Sequence, residues 1–352
     1  MKGKVTIMKS MEYMDYIMET MKKLIAIPSP SGFTREAAEF VISELKEMGY
    51  EPEMTLKRGV IVDLGGENKE DAVLLAAHVD TLGAMVKEIK PSGRLKLLNV
   101  GGMNPNNAET ENCIIHTRDG RKYDGTLQLV NASTHVNREY NDTKRTWNTV
   151  EVVIDEEVKS AEDVENLGIM NGDYVTFDPR TVITSSGYIK SRFLDDKLCC
   201  ALLMGYAKYL KEEKVTLDRQ VYLYFTSYEE EGHGGASGIP ANVKEMFSVD
   251  MGCVGEGLKC DETMVSICAK DSVGPYDYEI TTELIRLARE NNLGFAVDLY
   301  PAYTSDVDVA LKAGHDIRHV VIGPGVYASH GYERSHKKGV ANTFELIKAY
   351  LG

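Results

Sequence analysis

The chain has 352 residues, of which 43% are hydrophobic and 27% are charged, and its formal net charge at pH 7 is −14. This length allows one or two globular domains with a large core. The acidic balance argues against a nucleic-acid-binding protein and against binding to anionic membranes, because both require faces rich in Lys and Arg. We therefore expect neither nucleic acid nor a membrane as a partner.

The start of the sequence predicts a cytoplasmic location. The first 24 residues are charged and rich in methionine, and they contain no apolar stretch typical of a secretory signal. No run in the chain approaches the roughly 18 apolar residues that a membrane-spanning helix requires. The six cysteines show no Cys-x-x-Cys spacing and are expected to be reduced thiols.

The N-terminal segment predicts two helices followed by two strands. Apolar residues recur with helical spacing over residues 11–25 and 35–48, and a break at IPSPSG separates the two stretches. The runs GVIVDLG and AVLLAAH then predict strands. The second run is apolar throughout, which is typical of a strand that is buried on both faces.

The middle of the chain differs from the rest in its amino-acid composition. Residues 87–190 are rich in Asn, Thr and Gly, and they contain short β-like runs such as RLKLLNV, CIIHT and TVEVVID. This pattern predicts a β-rich insertion at 87–188. Residues 1–86 and 189–352 then form the main domain.

The C-terminal part alternates between helices and buried strands. A helix from residue 195 precedes VYLYFTS and FSVDMGCVG, and a helix near 280–292 precedes the strand at 319–323. We predict a turn at Gly323-Pro324-Gly325 and a last helix over about 340–351. The alternation predicts an α/β fold with helices on both faces of the sheet.

Metal-binding side chains follow the predicted strands. In open α/β sheets, ligands bind beyond the carboxyl ends of the strands. The helix that starts near residue 195 opens with a further pair of aspartates. Two histidines and several carboxylates at one sheet edge suit two divalent metals. The candidate residues are His78, Asp80, Asp195, Asp196, Glu229, Glu230, Glu231, Asp250 and His330.

Each candidate has a structural alternative when it is taken alone. A histidine after an apolar run is more often a hydrogen-bonded core residue than a ligand. The pair Asp195-Asp196 suits a helix N-terminus, and the acidic turn at 229–231 suits solvent. Asp250 suits a hydrogen bond within its own loop. The metal hypothesis is favoured because all of these residues fall at the same end of one predicted sheet.

Five ordered motifs resemble a known family. They are IPSPSG, AAHVDTLG, SRFLDDK, YEEEGHGGA and VYASHGYE. Over nearly its whole length the chain resembles the TET-type dinuclear metallo-aminopeptidases, the glutamyl/leucyl aminopeptidase-like group of the zinc-exopeptidase superfamily. The resemblance implies a mixed, mostly parallel central sheet with helices on both faces. It also implies that the β-rich insertion is a small dimerisation domain.

The resemblance implies a role for each motif residue. Asp195 would bridge two metals, and Glu229 would be the general base. Asp80 would orient His78 or the base, since such carboxylates fix the tautomer of a ligand. The implied metal ligands are His78, Asp195, Glu230, Asp250 and His330.

The sequence departs from the family pattern at several positions. Glu231 stands where Val is usual, so the base and the ligand are alternatively Glu230 and Glu231. Lys197 stands where Arg is common. The short segment from His330 to Glu333 leaves the role of Glu333 open, and His336 is the rival of His330 as a ligand. A role for Asp306 in the site is also left open.

The implied function is a metal-dependent aminopeptidase that removes N-terminal residues from unfolded peptides. Two divalent ions per subunit are expected, Zn or Co with Mn as a third candidate. Dimers would assemble to a dodecamer. The alternative within the superfamily is a deacylase or carboxypeptidase. A further alternative is a non-catalytic assembly in which metals only hold the fold, but the additional glutamate beside the ligands argues against it. Another is a sugar-polymer hydrolase, which would need a carboxylate pair but not the two histidines.

Overall fold

The computed structural model describes the backbone of residues 2–352 and the side chains of residues 13–352. The helices are α1 Lys2–Ala26, α2 Arg35–Glu47, α3 Pro105–Ala108, α4 Ala161–Asn166, α5 Leu194–Glu212, α6 Tyr278–Glu290, α7 Asp306–Lys312 and α8 Lys337–Leu351. Single 3₁₀ turns occur at Glu229–Glu231 and Gly234–Ala236.

The strands fall into two sets that belong to different sheets. The first part of the chain contributes β1 Glu53–Met54, β2 Val60–Gly65, β3 Asn68–His78, β4 Gly83–Ile89, β5 Leu95–Val100, β6 Asn112–His116, β7 Lys122–Leu129, β8 Val150–Ile154 and β9 Tyr174–Phe177. The second part contributes β10 Val182–Ile183, β11 Tyr188–Ser191, β12 Arg219–Thr226, β13 Val243–Val249, β14 Gly252–Val254, β15 Val265–Lys270, β16 Phe295–Leu299, β17 Arg318–Tyr327 and β18 Glu333–His336.

The chain divides into two compact units. One unit contains Met1–Asp80 and Arg180–Gly352, and the other contains Thr81–Pro179. The sequence predicts the insertion at 87–188, and both boundaries of the smaller compact unit lie earlier in the chain than predicted. The reason is strand pairing, because β4 hydrogen-bonds to β5 and β9, whereas β11 pairs with β18.

The larger unit is built on one mixed sheet that is parallel at its centre. Its order is β1-β2-β12-β3-β13-β17-β18-β11-β10, with β14, β15 and β16 attached beside β17. Strands β12, β3, β13 and β17 run parallel to one another, and the antiparallel pairs lie outside them. The four parallel strands therefore present their carboxyl ends along one edge.

The smaller unit is an antiparallel barrel. Its strands close in the order β4-β5-β8-β7-β6-β9, and the alternating residues Leu127 and Leu129 of β7 are buried. This alternation is typical of a strand with one face in a core. The α/β class, with a mixed sheet and a separate small β-rich part, is confirmed.

Helices α1, α5 and α8 pack on one another, and α5 and α8 also pack on the sheet. At the α1–α5 contact, a Cβ at Gly205 would collide with the side chain of Ile17, which is fully buried. Glycine is therefore required there for close approach of the two helices. None of the helices described in the structure is long and apolar enough to cross a membrane.

The predicted turn at Gly323-Pro324-Gly325 is wrong, because these residues lie inside strand β17. Glycine in a strand interior often marks a place where another backbone approaches closely. A Cβ at Gly323 would collide with the carbonyl oxygen of Asp250, and one at Gly325 with that of Asp261. The two glycines thus admit neighbouring chain segments instead of reversing the strand.

Candidate functional site

Strand register brings the predicted residues of β3 and β12 side by side. His78 is the last residue of β3 and pairs in parallel with Thr226, the last residue of β12. The 3₁₀ turn Glu229–Glu231 follows β12 directly. Because the two strands end at the same level, the acidic turn lies over the end of β3.

The other two central strands end close by. Val249 of β13 pairs with Ile322 of β17, and Asp250 follows β13. His330 follows the end of β17 and has a positive φ of 62°. Its backbone nitrogen donates a hydrogen bond to Glu333 Oε1 at 3.1 Å, which fixes this turn.

The aspartate pair opens helix α5 without helical geometry. Asp195 and Asp196 have non-helical backbone angles, the peptide bond between them is cis, and both are buried. The backbone nitrogen of Asp195 donates to Glu333 Oε2 at 3.1 Å. Glu333 therefore contacts the backbone of two predicted ligands, a role that the sequence left open.

Asp195 lies between the two histidines. Its Oδ1 is 3.1 Å from His78 Nε2, and its Oδ2 is 3.7 Å from His330 Nε2. Glu230 Oε2 is 3.5 Å from His330 Nε2, and Glu229 Oε2 is 3.7 Å from His78 Nε2. Each of the two glutamates thus faces a different histidine.

Asp80 lies beneath the acidic turn and is fully buried. Its Oδ1 accepts a hydrogen bond from the backbone nitrogen of Glu229 at 3.1 Å, and its Oδ2 accepts one from that of Glu230 at 3.3 Å. The hydroxyl of Ser31, from the predicted Pro-Ser break, donates to Oδ2 at 2.5 Å. Asp80 therefore holds the turn by its backbone.

The same segment sets the tautomer of His78. Nδ1 of His78 is 2.9 Å from the backbone carbonyl oxygen of Asp80. A carbonyl oxygen can only accept, so the neutral imidazole carries its proton on Nδ1. Nε2, the atom nearest to Asp195 and Glu229, then has a free lone pair for a metal ion.

Two further residues contact the site and were not assigned by sequence. The hydroxyl of Ser305 donates to Asp250 Oδ2 at 2.6 Å. Asp306 is buried, accepts from Thr226 and has an Oδ1 without a hydrogen-bond partner. Both residues lie at the start of α7, a helix that sequence periodicity did not predict because it is only seven residues long.

The structure also places the alternative candidates. Glu231 is exposed and does not line the cavity, whereas Glu229 and Glu230 do. His336 uses both ring nitrogens elsewhere, with Nδ1 accepting from the backbone of Lys338 and Nε2 lying 3.0 Å from the carbonyl of Ser186. Lys197 is fully buried and donates to the carbonyls of residues 24 and 27 near the end of α1.

Burial dominates the electrostatics of the cluster. Burial raises the pKa of Glu229 and of Glu230 well above the ordinary range, and neighbouring carboxylates add to this effect. Burial acts to lower the pKa of His78, but the negative charge of Glu229 and the hydrogen bond with Asp195 outweigh it and raise that pKa. The buried carboxylates of the cluster therefore outnumber the positive charges that could neutralise them.

The donor set fits divalent metal ions. Ligand atoms of His78, Asp195 and Glu230 lie within 4.8 Å of one another, and so do those of His78, Asp196 and Asp250. Asp196 Oδ1 and Glu230 Oε1 are buried without a hydrogen-bond partner. Buried carboxylate oxygens of this kind are costly unless a cation satisfies them. Asp196 is a candidate from its position in the sequence but is not among the ligands that the family resemblance implies.

The cluster forms the floor of an open cavity of about 480 Å³. Predicted residues that line it are Asp195, Glu229, Glu230, Asp250 and His330. The remaining walls come from Met251 and Cys253, from the loop at 302–304, and from Ser272 and Ser329. A polar floor beneath a cavity of this size can hold one end of a substrate against the carboxylates.

The family model and the relatives from Bacillus subtilis and Lactococcus lactis that match this chain are all described as aminopeptidases. Residues 59–346 match the model of the family described as M42 glutamyl aminopeptidase. The chain is 44% identical over 334 residues to the putative aminopeptidase YhfE of Bacillus subtilis, which covers 95% of this chain and 96% of that protein. It is 26% identical to the glutamyl aminopeptidase of Lactococcus lactis over 57% of either chain.

Solved structures share the fold. A TET aminopeptidase from a marine sediment archaeon of the Thaumarchaeota superposes with a TM-score of 0.85 at 19% identity, covering 95% of this chain and 96% of that one. The Pyrococcus horikoshii TET1 peptidase, described as able to assemble into a tetrahedron or a large octahedral shell, gives 0.82 at 21% identity, with 95% and 98% covered.

Proposed function

Since this chain belongs to the M42 glutamyl aminopeptidase family and is an aminopeptidase, a hydrolase of peptide bonds, we propose that it uses two divalent metal ions to remove N-terminal residues from unfolded peptides. The observation that carries the proposal is that the predicted residues meet in one cluster with Asp80 beneath it, and that the cluster contains buried carboxylate oxygens without a partner. The residues that meet are His78, Asp195, Glu229, Glu230, Asp250 and His330. Zn or Co are the first candidates, and Mn is the third.

The residues that would hold the ions are His78, Asp195, Glu230, Asp250 and His330. Asp195 faces both histidines with different oxygens, which suits a bridging carboxylate. When bound, the ions supply Lewis-acid activation of a water molecule and of the scissile carbonyl group.

Glu229 would move the proton of the attacking water to the leaving amine. It lines the cavity beside the ligand His78, and its burial raises its pKa, which helps a carboxylate to take up a proton. Asp80 would hold Glu229 and Glu230 at their positions through the two backbone hydrogen bonds. Ser305 would orient Asp250 through its hydroxyl.

The experiment that tests this reaction uses one peptide mixture in free and N-acetylated form, with metal-stripped enzyme and with metal restored. We expect stepwise loss of N-terminal residues from free peptides, no cleavage of acetylated ones, and recovery of activity on addition of Zn or Co. Cleavage of acetylated substrates would move the reaction to the deacylase or carboxypeptidase alternative. Full activity after metal removal would overturn the metal mechanism.

We also propose that the chain forms a homo-oligomer in which the Thr81–Pro179 barrel makes a dimer contact and dimers assemble to a dodecamer. The barrel unit exposes large apolar side chains at Leu98, Val136 and Met170, and such surfaces often mark protein interfaces. A mass measurement in solution tests this, with twelve copies of a 39.1 kDa chain as the expected species. A monomer at working concentration would contradict it.

A further inference from the structure

The cavity above the carboxylate cluster has neutral walls. Met251 and Cys253 follow strand β13 and place sulfur-containing side chains there. Ala302, Tyr303 and Thr304 come from the loop before α7. Among the described residues that line the cavity, none is Lys or Arg, and all the acids belong to the cluster beneath.

The cavity walls are held in place by hydrogen bonds between neutral groups. The Tyr303 hydroxyl donates to the backbone carbonyl of Met251 at 3.2 Å. The hydroxyl of Ser272 donates to the backbone carbonyl of Tyr303. The backbone nitrogen of Ser272 donates to the same carbonyl at 3.2 Å. These contacts turn the phenol and hydroxyl groups toward the protein backbone.

We propose, on the basis of the aminopeptidase reaction, that this cavity selects substrates whose N-terminal side chain is neutral, such as Leu or Met. An acidic side chain would lose water here without meeting a Lys or Arg, since the metal ions are already occupied by the reacting groups, and that loss is costly. A basic side chain would need a carboxylate that is not already required by the metal ions. A neutral side chain needs neither, and it can contact sulfur and aromatic atoms.

The test compares kcat/KM for one reporter amide carrying Leu, Met, Glu or Lys. We expect the neutral residues to exceed Glu and Lys by about tenfold or more, since an unpaired buried charge is rejected strongly. A higher kcat/KM for Glu or Lys would overturn the inference while leaving the aminopeptidase reaction intact. Absence of turnover on all four, together with cleavage of acetylated peptides, would instead overturn the proposed function.

A gain-of-function variant sharpens the test. Ala302→Arg places a cation at the exposed edge of the cavity and should raise the ratio of Glu to Leu turnover by about tenfold. Val273→Arg is the matched control, because Val273 is also exposed but does not line the cavity. An equal change of the ratio in both variants would contradict the assignment of the cavity.

A second, independent feature lies behind the same walls. Asp271 and Asp308 are buried, at 0% and 3% exposure, and face each other across Tyr276. The Tyr276 hydroxyl is 3.0 Å from Asp271 Oδ2 and 3.3 Å from Asp308 Oδ2. One hydroxyl hydrogen can be donated to only one of these carboxyl groups at a time. Asp308 also has a side-chain hydrogen bond with Asp271, and a hydrogen bond between two carboxyl groups requires a proton on one of them.

Each of the two acids holds one wall of the cavity. Asp271 Oδ1 accepts from the backbone nitrogens of Val273 at 2.8 Å and Gly274 at 3.0 Å, next to Ser272. Asp308 Oδ2 accepts from the backbone nitrogen of Ser305 at 3.0 Å, next to Thr304. A change in the distance between the two acids would therefore move both walls.

We further propose that Asp271 and Asp308 are positioning residues that hold the cavity walls together through a shared proton. Burial raises the pKa of Asp308 to about 7, and its hydrogen bond with Asp271 adds to this. Below this pH the proton is present, and above it two carboxylates repel each other. The other titratable groups around the pair are Cys268, Lys270, Tyr276, Asp277 and His319.

The pH profile of KM tests the shared proton. In the wild type we expect KM to rise several-fold between about pH 6.5 and pH 8.5, with a smaller change in kcat. Asp308→Asn has the same shape and an amide group that donates a hydrogen bond at every pH. On the same substrate, its KM should therefore change less with pH than the KM of the wild type. Asp308→Ala should raise KM at every pH. Parallel KM profiles for wild type and Asp308→Asn would overturn the proposal.

Discussion

The backbone nitrogen of Glu229 lies 3.1 Å from Oδ1 of Asp80, a carboxylate with no exposed surface. Asp80 therefore acts on the proposed base through its backbone, and it needs two acceptor oxygens to serve Glu229 and Glu230 together. Asp80→Asn would point an amide NH₂ at one of these donors. We expect kcat to fall by about 10- to 100-fold, as is typical of groups that orient metal ligands.

The control for this variant is Asp63→Asn. Asp63 Oδ1 also accepts a backbone hydrogen bond, from Gly65 at 2.8 Å, but its side chain is exposed and it does not line the cavity. Its kcat should stay close to the wild-type value. Similar kcat values for Asp80→Asn and wild type would show that the hydrogen bonds to the turn are not needed.

Glu229 and Glu231 differ in what they can reach, although they are two residues apart. Glu229→Gln removes the proposed base but keeps its shape, so we expect kcat to fall by about 10²- to 10⁴-fold with bound metal retained. Glu231→Gln should keep kcat, because Glu231 is exposed and outside the cavity. The measurement pairs steady-state kinetics with metal content by mass spectrometry.

The opposite pattern, with Glu231→Gln inactive and Glu229→Gln active, would shift the base along the turn as the sequence alternative allows. Asp195→Ala should lose metal as well as turnover, because this carboxylate faces both histidines. Metal content equal to wild type in Asp195→Ala would argue against a bridging role.

Gly323 lies where β17 passes the end of β13. A Cβ at this position would collide with the carbonyl oxygen of Asp250, a proposed ligand. We expect Gly323→Ala to lower the free energy of unfolding by about 1–3 kcal/mol, which is typical of overpacking, and to reduce metal binding. Gly255→Ala is the control, since a Cβ there meets nothing within 4 Å. Chemical denaturation and metal titration of both variants check this.

Glu245 holds two arginines and one tyrosine from a buried position. It accepts from Arg219 at 2.7 Å, from Tyr350 at 2.9 Å and from Arg318. Glu245→Gln should lower the free energy of unfolding by about 1.5–3 kcal/mol, the usual range for hydrogen bonds to charged groups, because the buried acceptor loses its charge while the arginines stay partly exposed. Glu279→Gln breaks an exposed contact of Arg318 and should cost about 0.5 kcal/mol or less.

The buried histidine of the barrel predicts a dependence of stability on pH. Burial lowers the pKa of His116 to about 4, and the charge of Lys122 adds to this, while Nε2 lies 2.9 Å from the Thr176 hydroxyl. The unfolded chain takes up a proton near pH 6.5 and the folded chain does not. Stability is therefore complete above about pH 6.5 and is lost as the pH falls toward 4.

The measurement for His116 compares wild type with His116→Gln at about pH 7 and about pH 5. We expect the wild type to lose about 2 kcal/mol more than the variant over this interval. Hydrogen exchange of the barrel strands reports the same change locally. An equal loss in both proteins would mean that His116 does not titrate in this way.

The sequence alone predicted the fold class and the strand ends at which the candidate site residues lie. Apolar runs locate a strand by local periodicity, and the residues just after the run then lie at a strand end. This reasoning placed His78 at the end of β3, Glu229 and Glu230 after β12, and Asp250 after β13. The division into an α/β part and a β-rich insertion was also predicted, because the amino-acid composition and the hydrophobic pattern change along the chain.

Tertiary structure decided what depends on contacts between distant segments. Only the parallel register of Thr226 with His78 sets the acidic turn over that histidine, and it makes Glu229 and Glu230 the inner glutamates while Glu231 is exposed. The roles of Glu333 and Ser305 depend on hydrogen bonds across 138 and 55 residues of sequence. No local periodicity carries such information, since it arises only when strands and loops have packed.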